Sequence, residues 1–142
     1  MKEELLLSID LINSKLGYIL ACLSSYSSLD LSKRIDDINN KIYLIKKSIE
    51  EEKEYVDIRD VITLRKILDE IKATLNEDKI VLKGHKIACL LFEVSTYIKL
   101  LIHNFDKSKE DLIEYLLLSS EFLYCCARVV NIEILCFEDK LI

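Results

Sequence analysis

The chain has 142 residues, no proline and only two glycines, Gly17 and Gly84, with 51% apolar and 32% charged residues and a net charge of −5 at pH 7. A chain of this length is one domain, residues 1–142, able to bury a core without metals or disulfides. The shortage of turn formers excludes a β-rich fold and predicts an all-α bundle of four to five helices, mostly antiparallel, while the acidic balance argues against a duplex-binding protein.

The first predicted helix runs from about Lys2 to Ser24. Leu5, Ile9, Ile12, Leu16, Ile19 and Leu23 recur at intervals of four and three, the stripe of a helix facing a bundle core. "SSYSSLDLS" interrupts it, with Asp30 or Ser32 as the expected cap of the next helix. The same rhythm returns in Leu31, Ile35, Ile38, Ile42, Ile45 and Ile49 and ends at an acidic run, Glu50, Glu51, Glu52 and Glu54. Carboxylates at a helix C-terminus oppose the macrodipole, so this run reads as a solvated end or as a negative patch for a basic partner. A shorter third helix carries Val61, Leu64, Leu68, Ile71 and Leu75 behind a cap at Asp57 or Asp60.

The fourth helix is expected from about Lys79 or Lys83 to His103, and the fifth from Ser108 to about Leu135. Both are apolar around most of their circumference, which places them at a bundle centre or a subunit interface. Ser108 and Asp111 have the spacing of a capping box, and Glu114, Glu121 and Arg128 form a narrow polar stripe at seven-residue intervals. The apolar runs are broken by charges such as Glu93, Lys99 and Arg128, so no membrane span is expected. Five cysteines, Cys22, Cys89, Cys125, Cys126 and Cys136, lack framework spacing and read as reduced thiols of a cytoplasmic protein.

Phosphate-loop chemistry needs clustered glycines and a serine-hydrolase elbow needs G-x-S-x-G; neither occurs. There is no E-x-x-H pair of the kind that binds two metals in a bundle. His85, Cys89 and Glu93 at i, i+4 and i+8 could supply part of a metal shell from one helix face, but a small apolar Cys89 in the core and a solvated His85 are the preferred reading, and no metal or cofactor is expected. "IVLKG", Ile80 to Gly84, resembles the H-x-L-K-G segment of histidine phosphotransfer domains, which are four-helix bundles. Ile80 occupies the position of the phosphorylated histidine, and His85 lies about 140° around a helix from it, so the resemblance implies a bundle without phosphotransfer.

From these absences the sequence reads as a non-enzymatic interaction module, a small regulator, inhibitor or accessory subunit that presents helix faces to another protein or to a second copy of itself. The alternatives are a subunit of a nucleoprotein assembly, using Arg65 and Lys66 with the lysines around His85, and a metal-binding bundle. The candidate partner-binding residues are Lys79, Lys83, His85 and Lys86 beside a helix N-terminus, where a net charge of +3 over residues 61–109 contrasts with −5 over residues 110–142, and the acidic Glu50, Glu51, Glu52 and Glu54.

Overall fold

A computed structural model describes residues 2–26 and 30–135. Five α-helices follow one another: α1 (Lys2–Leu23), α2 (Ser32–Glu51), α3 (Ile58–Lys72), α4 (Lys86–Ile102) and α5 (Glu110–Val130), the last continuing into a π-helical turn, Asn131–Leu135. The apolar stripes face inward as their spacing requires. Ile9, Ile12, Leu16, Ile19 and Leu23 of α1 and Ile35, Ile38, Ile42 and Ile45 of α2 are buried, with Val61, Leu64 and Leu68 of α3.

Helices α1, α2, α4 and α5 form the antiparallel frame. α1 packs between α2 and α4, and α4 packs on α5. Two ion pairs fix the flanks of α1: Lys46 to Asp10 at 2.7 Å and Lys15 to Glu93 at 2.9 Å. α5 lies deepest, buried from Tyr115 to Val130 on most sides, as its nearly uninterrupted apolar surface demands. Between α4 and α5 the buried hydroxyls of Ser95 and Ser120 bond reciprocally: Ser95 Oγ donates to the Ser120 carbonyl at 2.8 Å and Ser120 Oγ to the Ser95 carbonyl at 2.9 Å. Two small residues here let the helices approach, and each hydroxyl finds a partner without water.

α3 runs parallel to α5 and covers its one polar stripe. Glu114 pairs with Arg65, Glu121 with Lys72 at 3.6 Å, and the guanidinium of buried Arg128 donates to the carbonyl and the side-chain oxygen of Asn76, each at 2.9 Å. The seven-residue repeat of Glu114, Glu121 and Arg128 is therefore the seam along which α3 and the link behind it dock.

Three helix starts differ from expectation. Leu31, with no side-chain cap bond, is the N-cap of α2 in place of Asp30 or Ser32. Lys109 precedes α5 without a side-chain cap, because Ser108 belongs to a turn in which its N–H donates to Asp106 Oδ1 at 3.0 Å. α4 starts at Lys86, later than Lys79 or Lys83, because Gly84 takes φ +127°, outside any helix. The cap at Asp57 is present as a full capping box with Asp60. The segment Ile80–Gly84 that resembles a phosphotransfer motif is thus not helical, and Ile80 is an anchor in the core at 4% exposure. Cys136 and Ser27–Leu29 lie outside the described residues.

α1 is long and apolar enough, by length and composition, to cross a membrane. In the fold its inward stripe is packed into the bundle.

Candidate functional site

The two ends of the bundle differ. At the end where α1 begins, α2 and α4 finish and α5 starts, the helices enclose a cleft of about 690 Å³, within the size range of small-molecule sites. Its apolar wall is Leu5, Ile49, Val56 and Leu112, with the rings of Tyr55 and Phe105; Lys2, Lys53 and Lys109 supply cations, and Glu52, Glu54, Asp106, Glu110 and Asp111 carboxylates.

Two loops shape this cleft. Glu52 ends α2 in the left-handed conformation, φ 55°, and turns the chain out of the helix into the extended link toward α3. Tyr55 is then folded back on α2: its N–H donates to Ser48 Oγ at 3.2 Å and its hydroxyl to Glu51 at 2.8 Å, with Lys47 over its ring at 5.2 Å. The bond to the Glu51 carboxylate raises the Tyr55 hydroxyl above its ordinary pKa, keeping it a donor. On the opposite side, α4 unwinds through tight bonds ending in Phe105 N–H to the Ile102 carbonyl at 3.1 Å. Asp106 then organises the loop; the Ser108 N–H bond, with the Ser108 side chain, holds its carboxyl below the usual range.

At the far end the connections are closed by hydrogen bonds. The Asn131 side chain lies against Gly84: its Oδ1 accepts from His85 N–H at 2.9 Å and its amide donates to the Lys83 carbonyl at 2.8 Å. His85 is the N-cap of α4, with Nδ1 accepting from Ile87 N–H at 3.1 Å and Nε2 at 3.1 Å from the Tyr26 hydroxyl.

The residues singled out from the sequence are thus split between the ends. Glu52 and Glu54 line the cleft and Glu51 holds Tyr55, while Glu50 is exposed beside them. Lys79, Lys83 and Lys86 are exposed at the far end, Lys86 lying over the Tyr18 ring at 6.0 Å, and half-buried His85 is taken up by its cap. Two backbone N–H groups that an anion would use there are already bonded to His85 and Asn131. Cys89 and Glu93 are both exposed, Glu93 bound to Lys15, and the described residues contain no group of three metal-ligating side chains. His103 ends α4, where its backbone N–H donates to the carbonyls of Leu100 and Leu101. The sequence reading missed Tyr55, Phe105, Lys53 and Lys109. Their only advance signal was the end of the inward stripes at Leu5 and Ile49, both half-buried where the rest of each stripe is closed.

No protein-family pattern matches this sequence, and no curated protein is detectably similar to it. Solved structures are similar in shape. An arginine-to-lysine variant of a PduO-type ATP:co(I)rrinoid adenosyltransferase from Lactobacillus reuteri, complexed with ATP, superposes with a TM-score of 0.81 at 15% identity, covering 99% of this chain and 86% of the other. A phenylalanine-to-histidine variant of the PduO-type enzyme from the same organism, complexed with cobalamin and ATP, gives 0.80 at 15% identity, covering 99% and 82%. This finding overturns the expectation of a non-enzymatic regulator or interaction module, and with it the nucleoprotein and metal-binding alternatives: the bundle is one that enzymes use. The expectation failed because it took missing glycine loops as evidence against catalysis, whereas a helical bundle of this shape holds ATP.

Proposed function

We propose that this chain is an enzyme of the ATP:corrinoid adenosyltransferase kind, moving an adenosyl group from ATP to a corrinoid. The observation that carries the reading is the superposition over 99% of the chain at a TM-score of 0.81. The cleft at the open end of the bundle suits the chemistry. Its volume, about 690 Å³, accommodates a nucleotide. Tyr55 and Phe105 offer ring faces to a planar base, and Lys2, Lys53 and Lys109 offer the side-chain cations that a triphosphate needs where no glycine loop supplies backbone N–H groups. The carboxylates of Asp106, Glu110 and Asp111 suit the magnesium ion that accompanies a nucleoside triphosphate. In this reading Glu52 and Glu54 are walls of a substrate cleft rather than a patch for a protein partner, and the reaction is cytoplasmic.

Self-association is part of the same proposal. Leu7, Leu11 and Tyr18 on the outer face of α1 and Leu100 on α4 are exposed, and the side chains of Asp10 and Lys15 are drawn aside by Lys46 and Glu93. Second copies covering this face would account for a helix that is apolar on both sides.

The test is direct. The purified chain, given magnesium-ATP and a chemically reduced corrinoid under anaerobic conditions, should form an adenosylated corrinoid and release tripolyphosphate in equal amounts. Lys53→Ala with Lys109→Ala should slow this at least about tenfold, the scale of lost charge-assisted phosphate contacts, with the melting temperature kept. Absence of adenosylated product, together with no effect of ATP on the melting temperature, refutes the reading.

A further inference from the structure

Tyr55 reaches the cleft from a link without regular structure, and side chains at the end of α2 hold it there. Glu52 turns the chain in the left-handed conformation, and Val56, 6% exposed, anchors the link in the core one residue beyond Tyr55. Between these points Ser48 Oγ, which donates to the Leu44 carbonyl at 2.9 Å, accepts from Tyr55 N–H at 3.2 Å. Glu51 divides its carboxylate: Oε1 accepts from the Tyr55 hydroxyl at 2.8 Å, and Oε2 lies 3.9 Å from Lys47 Nζ. Lys47 completes the triangle from above the ring, 5.2 Å from its centroid. Tyr55, Ser48 and Lys53 line the cleft, whereas Glu51 and Lys47 stand outside its wall. The ring surface that Tyr55 presents to the cleft is therefore the one Lys47 leaves uncovered.

We propose that Glu51 is a positioning residue of the cleft: through the Tyr55 hydroxyl it fixes the aromatic ring, and with it the link that carries Lys53, in the place where a nucleotide base stacks. This role deepens the adenosyltransferase reading and rests on it. An untied ring on an irregular link turns about its side-chain bonds, and a ligand stacking on it has to stop that motion at a cost in affinity. Glu51 removes the cost in advance. It holds the far end of the ring, the one point at which a tyrosine, unlike a phenylalanine, can be tied. Its charge serves the cleft less well, because a carboxylate at the end of α2 opposes the helix dipole and does nothing to attract a triphosphate. What the cleft uses is the acceptor oxygen.

The test compares two neutral substitutions in the full-length chain. Glu51→Gln keeps an acceptor for the Tyr55 hydroxyl and Glu51→Ala has none, while both remove the same charge. Because Glu51 is exposed, both variants should melt with the parent. Titrated calorimetrically with magnesium-ATP, Glu51→Gln should bind at least as tightly as the parent, and Glu51→Ala about threefold to tenfold more weakly than Glu51→Gln, the scale of ordering one side chain. In the adenosylation assay the same difference should appear in the KM for ATP, with kcat retained. Tyr55→Phe lacks the hydroxyl, so in that background the Gln and Ala variants should bind alike. A difference that persists there, or equal binding of the two variants with Tyr55 intact, overturns the positioning role and leaves the adenosyltransferase reading standing. A parent that binds no magnesium-ATP overturns that reading and this role with it.

Discussion

Replacing Gly84 by alanine tests the closed end of the bundle. Gly84 has φ +127°, where an L side chain is strained by roughly 1–3 kcal/mol. A Cβ built there would stand 2.2 Å from Asn131 Oδ1 and 2.6 Å from both Cγ and Nδ2, so Asn131, only 3% exposed, must leave. With it go the bonds to His85 N–H and the Lys83 carbonyl, worth about 1 kcal/mol each. Gly84→Ala should therefore cost about 3–5 kcal/mol in a urea unfolding experiment, by the same strain and bond magnitudes. Asn131→Ala removes the two bonds and also the obstacle, and should cost about 2 kcal/mol. In that background Gly84→Ala meets only the backbone strain, so its cost should fall by about 2 kcal/mol, a coupling that a double-mutant cycle resolves. Equal costs of Gly84→Ala in both backgrounds, or a cost below about 1 kcal/mol in the parent, would refute the reasoning.

Three further outcomes follow from the packing. Leu16→Asp or Ile42→Asp puts a carboxylate at a position with 0% exposure and should abolish the cooperative fold, seen as loss of helical circular dichroism; an unchanged melting temperature would mean the stripe does not face the core. Ser95→Ala and Ser120→Ala each remove one donor from the reciprocal pair and should cost about 1–2 kcal/mol singly, with the double variant departing from their sum by at least about 0.5 kcal/mol. Burial raises the Cys126 thiol well above 9.0 and, with help from Asp60 and Asp37, the Tyr115 hydroxyl above 10.0. Both groups stay protonated when folded and ionise in the unfolded chain, so stability should decline as pH rises through about 9 to 10.5. Cys126→Ala should flatten the first part of that decline in thermal melts, and an identical profile would contradict the assignment.

The inward faces were legible because core packing imposes a period, and periods survive in sequence without any knowledge of neighbours. Ile9 through Leu23 and Ile35 through Ile45 needed only the 3.6-residue turn. What the period could not give was how one helix stands against another. Glu114, Glu121 and Arg128 were visible as a stripe, but that α3 covers it depends on Arg65, Lys72 and Asn76 arriving from another part of the chain at matching intervals. The start of α4 was misplaced for a similar reason. Apolar residues are already present at Ile80 to Leu82, yet Gly84 takes φ +127° and the side chain of Asn131, 47 positions later, fills the space a Cβ at Gly84 would need.

The cleft is the clearest case of information present in the sequence but unreadable without the fold. Leu5 and Ile49 belong to their stripes by spacing, and nothing local separates them from Ile9 or Ile45. They are only half-buried because α1 begins and α2 ends at the same level, where Glu52 turns the chain outward and the α4–α5 loop stands off. A stripe that continues past the closed part of a bundle leaves apolar side chains facing an opening, and here that opening has aromatic rings and lysines brought by two separate loops. The acidic run after Ile49, read alone, looked like a patch for a basic partner. Placed against Lys53, Lys109 and Asp106 it becomes part of a concave, mixed-polarity surface. The cleft in this bundle is therefore set by where the helices stop, and helix ends are where sequence periodicity is silent.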